Sequence, residues 1–258
     1  MEFVHEGRRF VLQGHAAGDH LYEIVVRTGT FYEIDLLAYI RSLRLPRGLA
    51  LDVGANIGNH AVYFASFLAD HVIAVEPNPA VLPLLRANLQ ANCTNFTICE
   101  KGLGELPGRA SIVLPAGAER NIGMAKLDTS IACGHIELTT LDALVEENAS
   151  RFRMPVTFIK IDVEGMELEV LKGGINTIRR YRPHLFVEIA SRRALEEIAR
   201  FLSPLGYTSI VKWAFTPVHH FAHRPPWSLR LHALRAKAAY AAYRGLRTLN
   251  PLAVSRKT

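Results

Sequence analysis

The chain has 258 residues, of which 49% are hydrophobic and 21% charged, a composition typical of a globular α/β domain. Its three cysteines, at positions 93, 99 and 133, contain no C-x-x-C pair, which argues against a disulfide framework and a cysteine-rich zinc site. The net charge of +6 belongs to the C-terminal segment. Eight of the 30 basic residues follow residue 222 without any Asp or Glu, which leaves 22 basic and 24 acidic residues elsewhere.

The sequence is typical of a cytoplasmic protein. The opening MEFVHEGRRF has no apolar core of the signal-peptide type. No apolar run approaches the roughly 20 residues that a membrane helix needs. The odd number of cysteines also fits a reducing compartment.

Residues 1–48 form a lead-in segment. Residues 1–30 alternate in short apolar and polar runs broken by glycines, a pattern that predicts a small β-rich region. Residues 31–43 have helical spacing, with Ile34, Leu37 and Ile40 on one side, and Pro46 and Gly48 end this helix.

Residues 49–222 repeat a pattern of strand, turn and helix. Nearly continuous apolar strands are predicted at 49–55, 71–77, 95–100, 156–163 and 184–190. Helices are predicted at 57–69, 79–92, 166–181 and 192–207. Apolar strands that alternate with helices indicate a mostly parallel Rossmann-like sheet covered on both faces.

Two segments depart from this pattern. Residues 102–142 contain recurring glycines and short strands at SIVLPA and HIELTT, which predicts a β-hairpin insertion after the third strand. Residues 223–258 form a basic tail. Between Trp227 and Leu249, the apolar residues fall on one helical stripe with basic residues beside or opposite it, which predicts a basic amphipathic helix. Such a helix suits an anionic membrane surface or a lipid-linked glycan, and the equal alternative is a helix packed on the protein body or a poorly ordered end.

The segment LDVGANIGNH turns the first buried strand into a helix. Small residues here allow the backbone to approach a ligand at the carboxyl end of the strand, where open α/β sheets bind. The spacing G-x-x-x-G differs from the dinucleotide pattern G-x-G-x-x-G and offers no pyrophosphate cradle, which favours S-adenosylmethionine (SAM) over NAD. The candidate cofactor residues in this segment are Asp52, Gly54, Ala55, Asn56, Gly58, Asn59 and His60. His60 is also a candidate base.

Glu76 ends the next strand, in VIAVEPN. A carboxylate at this position can accept hydrogen bonds from both ribose hydroxyls of a nucleoside. Pro77 and Asn78 follow it and complete the predicted cofactor set. The alternative is that Glu76 only begins a solvated turn.

Charged residues also end the two later strands. Lys160 and Asp162 share one face by strand periodicity, Glu164 follows them, and Glu188 ends the next strand. Buried charges are costly unless they are paired or used, so these four are the candidate catalytic residues. The alternative is a structural ion pair that orients the turn. No metal site is predicted, because two carboxylates are too few for a hard cation.

Several further residues have two interpretations. Tyr32 and Glu33 are candidates to close over the cofactor. Asn121 and Gly123 form either part of the site wall or a plain turn. His219, His220 and His223 are expected in a loop rather than at a metal.

In this order, the segments LDVGANIGNH, VIAVEPNP, NIGMA, TLDAL, FIKIDVEGMELEVLKGG and HLFVE resemble the FkbM family of methyltransferases over about residues 31–190. The resemblance implies a class I methyltransferase fold and O-methylation of a hydroxyl on a sugar, glycolipid or secondary metabolite. Bacterial members often serve the assembly of surface polysaccharides, glycolipids or antibiotics. Asp52, Gly54, Asn56, Gly58 and Glu76 match the family's cofactor segments, and Lys160, Asp162, Glu164 and Gly165 match its IDVEG segment. Ala61 stands where the family often has Thr or Ser.

The sequence therefore predicts an enzyme that methylates a small-molecule or glycan acceptor. Asp162 is the first candidate to contact the acceptor hydroxyl and Glu188 the second, while Lys160 orients Asp162 or lowers its pKa. Two alternatives remain open: a non-enzymatic nucleotide-binding protein, and a methyltransferase that acts on nucleic acid or protein. The slightly acidic body and the lack of an N-P-P-Y-type or D-P-P-Y-type segment argue against a nucleic-acid substrate.

Overall fold

The computed structural model describes residues 1–14, 20–114, 125–130, 134–213 and 217–249. The lead-in begins with two short antiparallel strands, β1 (Glu2–His5) and β2 (Arg8–Val11). Two helices follow, α1 (His20–Thr28) and α2 (Ile34–Ser42). The helix predicted within 31–43 is confirmed as α2. The prediction of a purely β-rich region before it was wrong for α1, where Val25 packs into the core and tertiary packing overrides the β-branched composition.

A seven-stranded sheet forms the centre of the molecule. Its strands, numbered in chain order, are β3 (Leu49–Val53), β4 (His71–Val75), β5 (Phe96–Cys99), β10 (Val156–Ile161), β11 (His184–Glu188), β12 (Tyr207–Lys212) and β13 (Val218–His223). They lie in the order β12-β13-β11-β10-β3-β4-β5, and only β13 runs against the others. The predicted mostly parallel α/β sheet is therefore confirmed.

Helices cover both faces of this sheet. The elements α3 (Asn59–Phe67) and α4 (Leu82–Asn92) lie with α2 on one face, and α5 (Leu141–Phe152), α6 (Glu167–Lys172), α7 (Ile175–Tyr181) and α8 (Arg192–Leu202) lie on the other. A 3-10 turn, Ser203–Leu205, follows α8.

Two predictions about these elements were wrong in detail. The single helix expected over 166–181 is divided between α6 and α7. Two glycines, which disfavour helix, lie between them. Both positions require glycine, because a Cβ would lie 2.1 Å from the Gly104 carbonyl oxygen at Gly173 and 2.3 Å from Leu141 at Gly174. The histidines expected in a loop instead form β13, whose residues are buried between two neighbouring strands.

The segment after β5 forms a smaller sheet. Its strands are β6 (Gly102–Leu103), β7 (Gly108–Val113), β8 (Lys126–Asp128) and β9 (Ile136–Thr139), in the order β6-β9-β7-β8. The consecutive strands β7 and β8 pair antiparallel. This is the segment that the sequence identifies as a hairpin insertion.

The tail contains the helix α9 (Trp227–Leu249), with the bounds expected from its periodicity. The helix packs against α2 and β12. Over the described residues, no helix has both the length and the apolar character needed to cross a bilayer.

Strand alternation divides the core between the two faces of the sheet. Phe158 of β10 packs edge-on against Phe64 of α3 at 4.9 Å between ring centroids, whereas Ile159 and Ile161 face the opposite cluster. Lys160 shares the face of Phe158 by the same alternation. The sheet therefore directs Lys160 toward α2 and α3, on the same face as Asp52 and within a largely apolar layer.

Asn88 of α4 joins the lead-in to the sheet domain. Its side chain is fully buried and accepts from the Gln13 amide at 2.7 Å, while its own amide donates to the Gln13 and Ile57 carbonyls at 2.8 Å each. A buried backbone group that loses its partner costs about 1–3 kcal/mol. The lead-in and the turn after β3 are thus fixed through one side chain.

We expect Asn88→Ala to lower the free energy of unfolding by about 2–4 kcal/mol, because the buried Ile57 carbonyl and the part-buried Gln13 backbone lose their partner. Chemical denaturation measures this change. Gln90→Ala, at an exposed position on the same helix, is the control and should change stability by less than about 0.5 kcal/mol. Equal effects of the two substitutions would contradict the assignment.

Candidate active site

The candidate site is a cavity at the carboxyl edge of the sheet, between β3 and β10. The chain runs outward from β3 through β4 to β5 and then returns to β10 on the other side of β3. Open α/β sheets bind ligands at such a switch point. The cavity encloses about 200 Å³. Seven of the ten predicted cofactor residues and all four predicted catalytic residues line it: Gly54, Ala55, Asn56, His60, Glu76, Pro77, Asn78, Lys160, Asp162, Glu164 and Glu188.

Gly54 allows the backbone to turn away from β3 directly beside β10. Its φ is +83°, and a Cβ at this position would lie 1.7 Å from the Asp162 carbonyl oxygen. The Asp162 amide in turn donates to the Val53 carbonyl at 2.9 Å. Both the conformation and the close approach require glycine. The turn therefore stays close to the end of β3 and leaves the cavity at this edge of the sheet open.

Glu76 is held by backbone amides on both sides of its carboxylate. Oε2 accepts from the Asn56 amide and Oε1 from the Asn78 amide, each at 2.9 Å. Burial raises the pKa of Glu76 to about 7, although the two amides oppose this shift. Each oxygen has further acceptor capacity. The geometry thus presents a fixed, largely desolvated acceptor pair to the cavity.

Lys160 is a buried cation between two carboxylates. Its Nζ lies 3.1 Å from Asp162 Oδ2 and 3.7 Å from Asp52 Oδ1, and the side chains of Lys160 and Asp52 are 1% and 0% exposed. Lys160 and Asp52 are cross-strand partners in the β10–β3 register. Burial would lower the pKa of Lys160, but Asp162 and Asp52 outweigh it and raise the pKa. Lys160 therefore stays charged and acts as a fixed positive centre.

Asp162 and Glu188 lie at the ends of adjacent strands and together hold one proton. Burial would raise the pKa of Asp162, but Lys160 and a hydrogen bond with Glu188 lower it to about 2. Burial and the neighbouring Asp162 raise the pKa of Glu188 to about 9. At neutral pH the pair therefore holds an ionised Asp162 and a protonated Glu188 that donates to it.

The lead-in supplies one wall of the cavity. Glu33 Oε2 lies 3.1 Å from His60 Nε2, and both side chains are less than a tenth exposed. The Asn59 side chain accepts from the Tyr32 amide at 2.9 Å and donates to the Tyr32 carbonyl at 3.1 Å. Tyr32 and Glu33 both line the cavity. The arrangement supports their predicted position over the site.

Some of the residues that line this cavity have a left-handed backbone conformation. Eight non-glycine residues in the described ranges have positive φ, and three of them line the site: Glu33 (52°), Asn56 (49°) and Glu164 (56°). Such conformations persist where the surrounding structure holds them, often at ligand sites. For Glu164, burial and the nearby Asp162 also raise the pKa of the side chain.

Three predicted cofactor residues lie behind the cavity wall. Asp52 is fully buried, and burial raises its pKa against the opposing effect of Lys160. A Cβ at Gly58 would lie 2.8 Å from Leu85, so this glycine allows α3 to pack on α4. The Asn59 amide is occupied by the Tyr32 backbone. These three residues support the cavity wall without lining the cavity.

Sequence reasoning missed several wall residues. His20 and Leu21 of α1, Leu103 of β6 and Lys126 and Leu127 of β8 all line the cavity. They come from the lead-in and the insertion, where no strand-end pattern marks them. Asn121 and Gly123 lie outside the described residues. No cluster of three or more His, Cys, Asp or Glu suited to a metal occurs in the described part of the chain, the histidines of β13 included.

Comparison with known proteins identifies the family. The sequence model of one protein family, the methyltransferase FkbM domain, matches residues 52–209 of this chain. The chain belongs to the FkbM methyltransferase family. The resemblance seen in the sequence is thereby confirmed.

Proteins similar to this chain include a relative of assigned activity and a solved structure. The hexuronic acid methyltransferase AglP of Haloferax volcanii is 32% identical over 154 residues, which cover 59% of this chain and 60% of that protein. The crystal structure of the methyltransferase FkbM from Methylobacillus flagellatus KT matches with a TM-score of 0.50 and 19% identity, over 69% of this chain and 44% of that one. The predicted class I methyltransferase fold is confirmed by this likeness.

We expect Lys160→Met to lower the free energy of unfolding by about 3–5 kcal/mol, because Asp52 and Asp162 lose the cation between them. The double variant Lys160→Met/Asp52→Asn should recover part of this loss, since it removes one uncompensated charge. Both are measured by urea denaturation. Lys172→Met breaks the exposed pair with Glu105 and is the control, with an expected loss below about 1 kcal/mol. A double variant no more stable than the single one would contradict this account.

Proposed function

We propose that this protein transfers the methyl group of SAM to a hydroxyl group of a sugar, glycolipid or secondary metabolite. The observation that carries the proposal is the placement of Glu76 and of the Lys160–Asp162–Glu188 cluster around one cavity. The first is suited to a nucleoside and the second to a hydroxyl. Membership of a methyltransferase family supports the reaction class.

The residues that line the cavity suit SAM in their hydrogen-bonding groups and their charge. Glu76 would accept hydrogen bonds from the ribose hydroxyls, and the turn at Gly54 brings the backbone close to the ligand without a pyrophosphate cradle. The described wall carries five carboxyl groups, Glu33, Glu76, Asp162, Glu164 and Glu188, of which Glu188 is protonated at neutral pH, against the lysines Lys126 and Lys160. An acidic wall favours a cationic sulfonium compound. When bound, SAM supplies an electrophilic methyl group.

Asp162 is the proposed acceptor of the hydroxyl proton. Its low pKa makes it a weak base, so the proton moves to it only as the hydroxyl oxygen gains the methyl group and positive charge. Glu188 is protonated at neutral pH and therefore acts as a hydrogen-bond donor that orients Asp162. Lys160 keeps Asp162 ionised. These ionisation states favour Asp162 over Glu188 as the base.

The similarity to AglP supports a sugar acceptor. That protein is a hexuronic acid methyltransferase, and this chain aligns with 60% of its length. A non-enzymatic nucleotide-binding protein would have no use for a buried lysine that fixes the ionisation of a cavity carboxylate. The excess of carboxylates in the described wall also disfavours the phosphate backbone of a nucleic acid.

We expect Glu76→Ala to weaken the binding of S-adenosylhomocysteine by about 100-fold or more, because two charge-assisted hydrogen bonds to the ribose are lost. For the unaltered protein, affinity should fall about ten-fold per pH unit below about pH 7, since the pKa of Glu76 is raised and the ligand needs the ionised form. Isothermal titration calorimetry measures both effects.

Glu76→Gln is the control for this pH dependence, because it removes the titrating group and keeps the side-chain shape. Its weaker affinity should be flat over the same range. Failure of the unaltered protein to bind S-adenosylhomocysteine would refute the proposed cofactor.

We expect Asp162→Asn to lower methyl transfer by about 10²–10⁴-fold, because the proton acceptor is lost. Glu188→Gln should lower it by less than about ten-fold, since the amide mimics the protonated carboxyl. The measurement is transfer of labelled methyl from SAM to the glycan and glycolipid fraction of the source cells. Equal losses in both variants would show that Glu188 acts in its ionised form, and label found only in protein or nucleic acid would overturn the proposed acceptor.

A further inference from the structure

The helix α9 exposes a row of large apolar side chains. Trp227, Leu231 and Leu234 are 75%, 40% and 57% exposed. Their spacing of four and then three residues places them on one side of the helix. Ala238 and Ala242 continue the row and are also exposed. We call this row the outer stripe of α9.

The opposite side of α9 fixes the helix to the protein body. Ala233 is fully buried, and Ala236 and Tyr240 pack against the core. Tyr240 meets the buried Trp213 at 6.0 Å between ring centroids, and His232 Nε2 lies 2.8 Å from Ser42 Oγ of α2. At 100° per residue, Ala233, Ala236 and Tyr240 lie roughly 120–180° from the centre of the outer stripe. The helix is therefore already packed, and its outer stripe is left without a partner in the described chain.

Basic residues border the outer stripe on both sides. At 100° per residue, Arg230 and Lys237 lie on one side of it and Arg235 on the other. The sequence has no Asp or Glu from residue 223 onward. An apolar row between two cationic borders matches a lipid surface, in which anionic headgroups surround exposed hydrocarbon.

We propose that α9 docks this protein on the surface of an anionic membrane, with the outer stripe inserted among the lipids and the axis parallel to the bilayer. A second copy of the chain is a poorer occupant, because two facing α9 helices would bring their cationic borders together. The proposal does not depend on the proposed reaction. It assigns the enzyme a location at the membrane surface. The helix α9 also packs against α2, and Glu33, the residue before α2, lines the cavity.

The test is sedimentation of the full chain with vesicles of phosphatidylcholine alone and of phosphatidylcholine mixed with phosphatidylglycerol. We expect binding to the mixed vesicles only, and weaker binding as salt is raised. Leu231→Ser/Leu234→Ser should weaken binding at least about ten-fold, because the inserted apolar area is lost. The matched control is Val4→Ser/Leu106→Ser, which removes two apolar side chains that are 66% and 73% exposed elsewhere.

A second pair of variants tests the charges. Arg230→Gln/Lys237→Gln should weaken binding to the mixed vesicles about 25-fold, at roughly five-fold per cation near the surface. Arg192→Gln/Arg193→Gln is the control, because it removes two highly exposed cations of α8. Thermal unfolding of all four variants should match that of the unaltered protein, since every altered side chain is wholly or partly exposed.

Trp227 provides a direct signal. The chain has two tryptophans, and Trp213 is buried, so a vesicle-induced blue shift of tryptophan fluorescence reports on Trp227. Trp227→Phe should remove the shift and keep the binding. The proposal fails if neither vesicle binds, if the stripe variant binds as well as its control, or if sedimentation equilibrium without lipid shows a dimer that the stripe variant abolishes.

Discussion

A single buried ammonium group organises the carboxyl end of this sheet. Lys160 stands at the switch point, with Asp52 on the strand beside it and Asp162 two residues ahead. Removing one member of such a group is costly, because the remaining charges are buried without compensation. The local fold and the ionisation of the site therefore depend on the same contact, and a change that alters one also alters the other.

The contact between Lys160 and Asp162 also gives Asp162 and Glu188 different roles. Lys160 stabilises the charge on Asp162, and burial together with that nearby negative charge disfavours ionisation of Glu188. Two chemically similar side chains thus become an acceptor and a donor of hydrogen bonds. Their separate environments, rather than their residue types, explain why two carboxyl groups on adjacent strand ends are not interchangeable.

The sequence predicted the parts of the site that lie at strand ends, because buried strands and the charges that end them leave a clear pattern. It placed Gly54, Glu76, Lys160, Asp162 and Glu188 in one cavity without any coordinates. It did not predict α1 or the wall residues from the insertion, whose positions depend on contacts far apart in the chain. The tail shows the same limit. Periodicity gave the helix α9, but which of its faces meets the body depends on packing with α2 and β12.

The pairing of Tyr32 with Asn59 has a consequence for what counts as the working unit of this protein. Tyr32 and Glu33 lie before residue 52, where the family match begins, yet they form a wall of the cavity. A segment cut at these boundaries would retain the glycine turn and the strand-end charges. It would lose the wall formed by Tyr32 and Glu33, the first residues of β3 and all of β13. The working unit of this protein is therefore longer than its matched region, because it includes the lead-in residues beside His60 and the sheet through β13.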